Sequence, residues 1–239
     1  MGEKVIITIP TYNEADNIGF LLEDILEKAP ESITIVIDDD SPDGTAEIVK
    51  DYQKRFPLSF ILVSRKEKRG RGYAGREGFI KALELDADYI IEMDADFSHN
   101  PKFIPDLLEP LRKGEADMVL GSRKVGNQKD DKRGLIRPLI TFLAGNYIRI
   151  LLGTKIKDVT SGYRAYTRNS LLTINPFELK ASSPDIVEEV LYRAIKKNLR
   201  IKEVRIVFED RIRGKSTFNF NIMKKVLLSV LKLRLKGSL

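Results

Sequence analysis

The chain opens with a short apolar run rich in β-branched residues, Val5-Ile6-Ile7-Thr8-Ile9, that stops at Pro10. A run of this length without strict alternation predicts a strand buried on both faces. Ile18, Leu21, Leu22, Ile25 and Leu26 follow at i, i+3, i+4, i+7 and i+8, which marks one face of a helix. The pattern repeats as a strand over Ile33 to Ile37, a helix over Thr45 to Phe56 and a strand over Phe60 to Val63. A helix over Tyr73 to Leu85, a strand at Tyr89-Ile90-Ile91, a helix over Pro101 to Leu111 and a strand at Met118-Val119-Leu120 complete the first half. Pro101 suits a first helical turn. Strands alternating with helices predict an α/β fold, a mostly parallel sheet with helices on both faces. Ligands bind beyond the carboxyl ends of such strands. The chemistry is therefore expected just after Ile9, Ile37, Val63 and Met93.

The second half is less regular. Asn127 to Arg133 is polar without apolar periodicity and reads as a mobile loop. Leu135 to Leu152 and Ile186 to Ile195 read as helices, and Ile201 to Phe208 as a strand. No repeat or linker divides the chain, so the expected organisation is one domain over residues 1–218 and a terminal amphipathic helix over 219–239. In that helix Asn221, Lys225, Ser229, Lys232 and Lys236 share a narrow strip, and most other positions are apolar. A wide apolar face with cationic edges fits a membrane interface or a helix docked on the core.

Composition narrows the chemistry. A hydrophobic fraction of 42% supports a sizeable core, and a charged fraction of 32% exceeds the usual level of about 25%. The net charge of +6 fits phosphate-rich ligands or an anionic surface. With no cysteine and one histidine, His99, a thiolate nucleophile is excluded and a structural zinc site is disfavoured. Any metal is expected to be held by oxygen ligands. The start, Met1-Gly2-Glu3-Lys4, shows no secretory signal pattern. No stretch reaches the roughly 20 apolar residues of a membrane-spanning helix. Pro138 to Ile148 is broken by Arg149, and Val226 to Leu231 is flanked by Lys225 and Lys232.

Several clusters sit at the expected strand ends. Asp94-Ala95-Asp96 presents two carboxylates that can converge on one hard cation, or form a solvated turn. Asp38, Asp39, Asp40 and Asp43 crowd the loop before Thr45, where a carboxylate can meet a base or ribose, or cap a helix. Pro10-Thr11-Tyr12-Asn13-Glu14 offers Tyr12 for stacking on a base and Glu14 for hydrogen bonding. Gly70-Arg71-Gly72-Tyr73-Ala74-Gly75 is a literal G-x-G-x-x-G, but it follows the third strand and the first turn has no glycine. A dinucleotide fingerprint needs it in the first turn, so that reading is rejected, while a glycine- and arginine-rich loop passing near phosphates or a sugar stays open. Arg123, Arg133, Arg137, Arg213 and Lys215 are cations suited to phosphate, or, taken singly, solvated surface charges. His99 reads as a loop-organising or helix-capping residue, with a catalytic base as the alternative.

Taken together, these segments resemble glycosyltransferase family 2, and within it the dolichol-phosphate mannose synthases. The resemblance rests on Ile9 to Glu14, Asp38 to Thr45, Met93 to Pro101, Gly121-Ser122-Arg123, Asp158-Val159-Thr160-Ser161-Gly162-Tyr163-Arg164-Ala165-Tyr166 and Arg211 to Ser216. It implies the GT-A nucleotide-diphospho-sugar transferase fold. It also implies inverting transfer of mannose from GDP-mannose to dolichyl (polyprenyl) phosphate at the cytoplasmic face of a membrane, reached by peripheral attachment or through a membrane-anchoring subunit. Pro10, Tyr12, Glu14, Ile37 and Asp39 would line the nucleotide pocket. Asp94, Ala95 and Asp96 would meet the donor, with Asp94 and Asp96, and a supplementary Ser98, holding Mg2+ or Mn2+. Arg123 and Arg133 would receive the acceptor phosphate, and Lys215, with Arg213, would close over the donor phosphates. Some relatives carry a serine at the position of Arg137, so an extra cation there would tighten the acceptor phosphate or face water.

Competing readings are the same fold with another donor such as UDP-glucose, a sugar nucleotidyltransferase, and an aspartate phosphatase. The last expects threonine where Ser98 stands. A processive polysaccharide synthase is disfavoured because tryptophan is absent. Nucleic acid is not expected as a partner, since the aspartate loops would repel its phosphates.

Overall fold

The computed structural model describes residues 2–67, 69–125, 136–207 and 220–236, with backbone alone at 136–142, 220–222 and 236. The first half follows the periodicity closely. Strand β1 (Val5–Thr11) leads to helix α1 (Ala15–Lys28), β2 (Ile33–Asp38) to α2 (Thr45–Arg55), and β3 (Phe60–Ser64) to α3 (Arg71–Glu84). Strand β4 (Tyr89–Glu92) is followed by a 3-10 turn (Pro101–Phe103), α4 (Ile104–Arg112) and β5 (Met118–Ser122). The second half holds α5 (Ile136–Leu152), β6 (Arg164–Thr167), α6 (Arg168–Ile174), a 3-10 turn (Pro176–Glu178), α7 (Ile186–Lys196), β7 (Ile201–Arg205) and α8 (Phe220–Lys236).

The seven strands among the described residues form one sheet in the order β3-β2-β1-β4-β6-β5-β7. All pairings are parallel except those of β6, which runs antiparallel to both β4 and β5. Alternate side chains of each central strand enter different cores, as a period of two requires. Ile6, Ile35, Ile37, Ile90, Met118 and Leu120 face one cluster with α3, α5, α6, α7 and α8. Ile7, Ile9, Val36, Ile91 and Val119 face another with α1, α2 and α4. Helices on both faces explain why the strands read as continuous apolar runs.

Two elements went unanticipated. Strand β6 is only Arg-Ala-Tyr-Thr, and its first residue is an arginine that is wholly buried. Helix α6 follows it directly, without a loop that the sequence would signal. The last predicted strand is shorter than expected and ends at Arg205. The loop expected at Asn127 to Arg133 lies outside the described residues. Helix α8 docks on the core through Val230 and Leu233, while Leu228 and Leu235 stay exposed.

The topology positions the site. The order reverses at β1, with β2 on one side and β4 on the other, and ligand crevices open at such points. In β6, Arg164 pairs with Glu92 at the end of β4 and with Leu120 near the end of β5. Because β6 is antiparallel, the segment before it reaches the carboxyl ends of β4 and β5. Residues 158–163 thereby meet the Asp94 to Asp96 loop.

Candidate active site

The loop after β4 is ordered by its own side chains. The Asp94 N–H donates to His99 Nδ1 at 2.9 Å, and the Ser98 N–H donates to Asp96 Oδ1 at 3.0 Å. Phe97 takes the left-handed conformation at φ 62°, which lets the loop turn tightly. Asn100, not His99, caps the following 3-10 turn by accepting from the Lys102 N–H at 3.0 Å. His99 is buried and stacks on Tyr163 with ring centroids 4.9 Å apart, and the Tyr163 hydroxyl donates to the Asn100 carbonyl at 3.1 Å. Burial pushes the His99 pKa below its ordinary value, against the pull of Asp94 and Asp96. An Nδ1 that accepts a hydrogen bond belongs to a neutral ring with its proton on Nε2. His99 therefore organises the loop, as expected of it.

The carboxylates differ in setting. The Asp96 side chain is buried, whereas that of Asp94 is 38% exposed. Ala95 and Ser98 are buried between and beside them. Arg71, at the start of α3, reaches Asp94 Oδ1 with Nη2 at 3.3 Å and Glu92 Oε1 at 2.9 Å. Burial works against the Arg71 charge, but Glu92 and Asp94 outweigh it and raise its pKa. Gly162 lies alongside: a Cβ there would sit 3.4 Å from His99 Cε1 and 3.8 Å from Asp94 Oδ2.

Arg123, just past β5, is clamped by Asp158. Its Nε donates to Oδ2 and its Nη2 to Oδ1, each at 2.7 Å, and its N–H donates to Oδ2 at 3.0 Å. Nη2 also donates to Thr160 Oγ1 at 3.1 Å. Burial opposes ionisation of Asp158, but Arg123 prevails and holds its pKa below the ordinary aspartate range. Asp158 is fixed in turn by its N–H, which donates to Glu203 on β7 at 2.9 Å. A planar fork held on one side by a carboxylate is a rigid cation at the strand end.

The β1 and β2 loops form the other wall. Tyr12 is 50% exposed and carries the Arg69 guanidinium 4.9 Å above its ring centroid. Glu14 accepts from Asn17 Nδ2 at 2.8 Å, and its N–H donates to Thr45 Oγ1 at 3.0 Å. Pro10 is buried within β1 beside Ile37 of β2. The Ile37 side chain enters the core against Gly78, so only its backbone is available at the strand end. Of the aspartates, Asp43 ties the two loops together by accepting from the Ala15 and Thr45 N–H groups, each at 3.0 Å. Asp39 pairs with Arg65 and accepts from the Gly70 N–H at 2.6 Å.

The glycine-rich stretch serves close packing. A Cβ on Gly70 would lie 2.4 Å from the Ser182 carbonyl oxygen, and one on Gly72 would lie 2.3 Å from that of Ala181. The buried Glu189 carboxylate fixes this partner segment by accepting from the Lys180 and Ala181 N–H groups at 3.0 and 2.8 Å. Arg71, Glu92, Asp158 and Glu189 were not singled out from the sequence as site residues. Two of them had a signal: Asp158 is the first residue of a recognised segment, and Arg71 lies in the glycine-rich stretch. Arg133, Arg213 and Lys215 lie outside the described residues, as does the Arg137 side chain.

The donor set suits a hard divalent cation. Two carboxylates share one loop, the single imidazole is occupied, and the remaining oxygens would come from diphosphate and water, as Mg2+ prefers. Among the described residues no group of three or more acidic or histidine side chains could cage an ion alone. No helix among them is long and apolar enough to cross a membrane.

Comparison with known proteins agrees with this geometry. Residues 6–174 match glycosyl transferase family 2. An undecaprenyl-phosphate mannosyltransferase of Micrococcus luteus is 35% identical over 227 residues, covering 95% of this chain and 92% of the relative. A polyprenol monophosphomannose synthase of Mycolicibacterium smegmatis is 31% identical, covering 99% of this chain and 89% of the relative. Among solved structures, glucosyl-3-phosphoglycerate synthase of Mycobacterium tuberculosis with Mn2+, UDP-glucose and phosphoglyceric acid superposes with a TM-score of 0.73 at 19% identity. That match covers all of this chain and 81% of the other. The same enzyme with Mg2+ and UDP gives a TM-score of 0.69 at 20% identity, covering 98% of this chain and 79% of the other. The sheet order, the acidic loop at its switch point and the near full-length similarity agree: the chain is a GT-A glycosyltransferase and belongs to glycosyltransferase family 2.

Proposed function

We propose that the protein transfers mannose from GDP-mannose to a polyprenyl phosphate such as dolichyl phosphate, with inversion at the anomeric carbon. The observation that carries this reading is the pair of devices at the carboxyl ends of β4 and β5. The Asp94 to Asp96 loop suits a metal-bound diphosphate, and the Arg123 fork held by Asp158 suits a second phosphate. Two relatives named for mannose transfer to polyprenyl phosphates share nearly the whole chain.

In this reading Tyr12 stacks on the base, and Glu14 and Asp39 bond base or ribose. Pro10, the Ile37 backbone and Ala95 shape the floor. Asp94 and Asp96, supplemented by Ser98, hold Mg2+ or Mn2+. When bound, the cation neutralises charge growing on the leaving diphosphate. Arg123 orients the acceptor phosphate, helped by Arg133, and Lys215 closes on the donor phosphates. One phosphate oxygen of the acceptor forms a bond to the anomeric carbon as the bond to the nucleotide's β-phosphate oxygen breaks, and GDP departs. The acceptor oxygen is already anionic near neutral pH, so no general base is required, and the neutral, occupied His99 is consistent with that.

The lipid is met at the membrane surface, on its cytoplasmic face. Leu143, Tyr147 and Ile150 form an exposed stripe on α5, and Leu228 and Leu235 are exposed on α8 beside exposed Lys224, Lys225, Lys232 and Arg234. The Tyr147 hydroxyl donates to the Leu227 carbonyl at 3.4 Å, which joins the two helices. An apolar ridge edged with cations suits an anionic lipid interface.

The test combines purified protein, Mg2+ or Mn2+, a short polyprenyl phosphate, and GDP-mannose or UDP-glucose. Metal-dependent mannosyl-lipid is expected, and Asp96→Ala should abolish it while leaving the melting temperature within a few degrees. Transfer from UDP-glucose alone would replace the donor assignment. Nucleotide-sugar binding without any lipid product would refute the acceptor assignment.

A further inference from the structure

We propose that Arg71, anchored by Glu92, is a positioning residue that fixes the Asp94 carboxylate before the donor and its metal arrive. The inference rests on the donor-site reading above and adds a residue to it.

Glu92 is the last residue of β4, between Ile91 and Met93, and its side chain is 2% exposed. A carboxylate at such a position needs a buried partner. Arg71 supplies one, and the same Nη2 that lies 2.9 Å from Glu92 Oε1 reaches Asp94 Oδ1 at 3.3 Å. The surroundings pack closely on this guanidinium, although its Nη1 and Glu92 Oε1 have no hydrogen-bond partner among the described residues. A Cβ on Gly75 would lie 2.8 Å from Arg71 Nη1 and 3.3 Å from Glu92 Oε1, so a side chain there would collide with the pair. Gly70 and Gly72 hold the Arg71 backbone against residues 181 and 182, and Glu189 holds that segment. The Tyr166 hydroxyl lies 3.5 Å from Glu92 Oε2 on the far side.

Stability alone does not account for the arrangement. A buried ion pair contributes little more than apolar side chains of the same volume. Its effect is on Asp94, the more exposed of the two loop carboxylates. Pinning one oxygen selects its rotamer, and partners that orient a metal-binding group in this way are typically worth 10- to 100-fold in metal affinity.

The test replaces the pair by apolar residues, Arg71→Leu with Glu92→Ile, which leaves the net charge unchanged. Mn2+ binding in the presence of GDP is followed by the electron paramagnetic resonance of free Mn2+, beside steady-state kinetics. The double variant is expected to keep its melting temperature, bind Mn2+ about 10-fold more weakly, and show a like rise in donor KM without change in acceptor KM. If it fails to fold, Arg71→Gln with Glu92→Gln takes its place, with the same expected loss. Mn2+ affinity and donor KM within about twofold of the wild type would overturn the proposal, leaving the pair a packing feature. A wild-type protein that binds no Mn2+ with any nucleoside diphosphate would overturn the donor-site reading itself.

Discussion

Glu188 offers a sharp test of how this core handles charge. It lies on α7, is 3% exposed, and its Oε2 has no hydrogen-bond partner among the described residues. Arg164 is the nearby cation, but its guanidinium donates to the carbonyls of Ser161, Val187 and Val159. Burial therefore prevails over Arg164 and lifts the Glu188 pKa from its ordinary 4.5 to about 7. The folded state then binds this proton more tightly than the unfolded state. The resulting stability is fully present below pH 4.5 and is lost as pH rises through about 7. At 1.36 kcal/mol per pH unit, the loss amounts to roughly 3 kcal/mol. Glu188→Met keeps the side-chain length and removes the titration. Urea denaturation of both proteins from about pH 4 to pH 8 gives the difference in unfolding free energy, in which other titrating groups cancel. That difference should move in favour of the variant by roughly 3 kcal/mol across the range. A difference flat with pH would show that Glu188 ionises in the fold as it does in water, and would refute the reasoning.

Two further substitutions probe the walls of the site. Asp158→Ala removes the buried partner of Arg123, and because the arginine left behind is 30% exposed and can be solvated, the loss is about 1–3 kcal/mol. Chemical denaturation should register it, and the acceptor KM should rise more than the donor KM. Gly72→Ala forces a Cβ to within 2.3 Å of the Ala181 carbonyl oxygen, so backbone must move. Overpacking of this kind costs about 1–3 kcal/mol. Thermal unfolding should fall accordingly, with a higher donor KM because Arg71 shifts with its neighbour.

The parallel core was legible because strands buried on both faces are written as apolar runs, and each run from Val5 to Leu120 became a strand. The acidic loop was legible for the same reason, since Asp94 and Asp96 follow such a run. Strand β6 was not. Its four residues carry Arg164, which periodicity assigns to the surface, yet the side chain is wholly buried and spends its donors on three carbonyls. Only the antiparallel insertion between β4 and β5 makes that environment, and no local pattern announces it.

The supports of the site were hidden by the same blind spot. Glu92, Glu188 and Glu189 are all buried, while pattern reading treats a charged residue as a solvated one. Each lies where tertiary structure supplies its setting: Arg71 for Glu92, backbone N–H groups and Arg193 for Glu189, and no hydrogen bond to Oε2 for Glu188. The glycines show the converse. The literal G-x-G-x-x-G invites a phosphate loop, but Gly70 and Gly72 are needed where carbonyl oxygens approach, and Gly75 where a guanidinium does. The spacing reports how closely α3 packs on its neighbours. It brings Arg71 to the one carboxylate of the acidic loop that is open to solvent, which links packing on α3 to the geometry of the donor site.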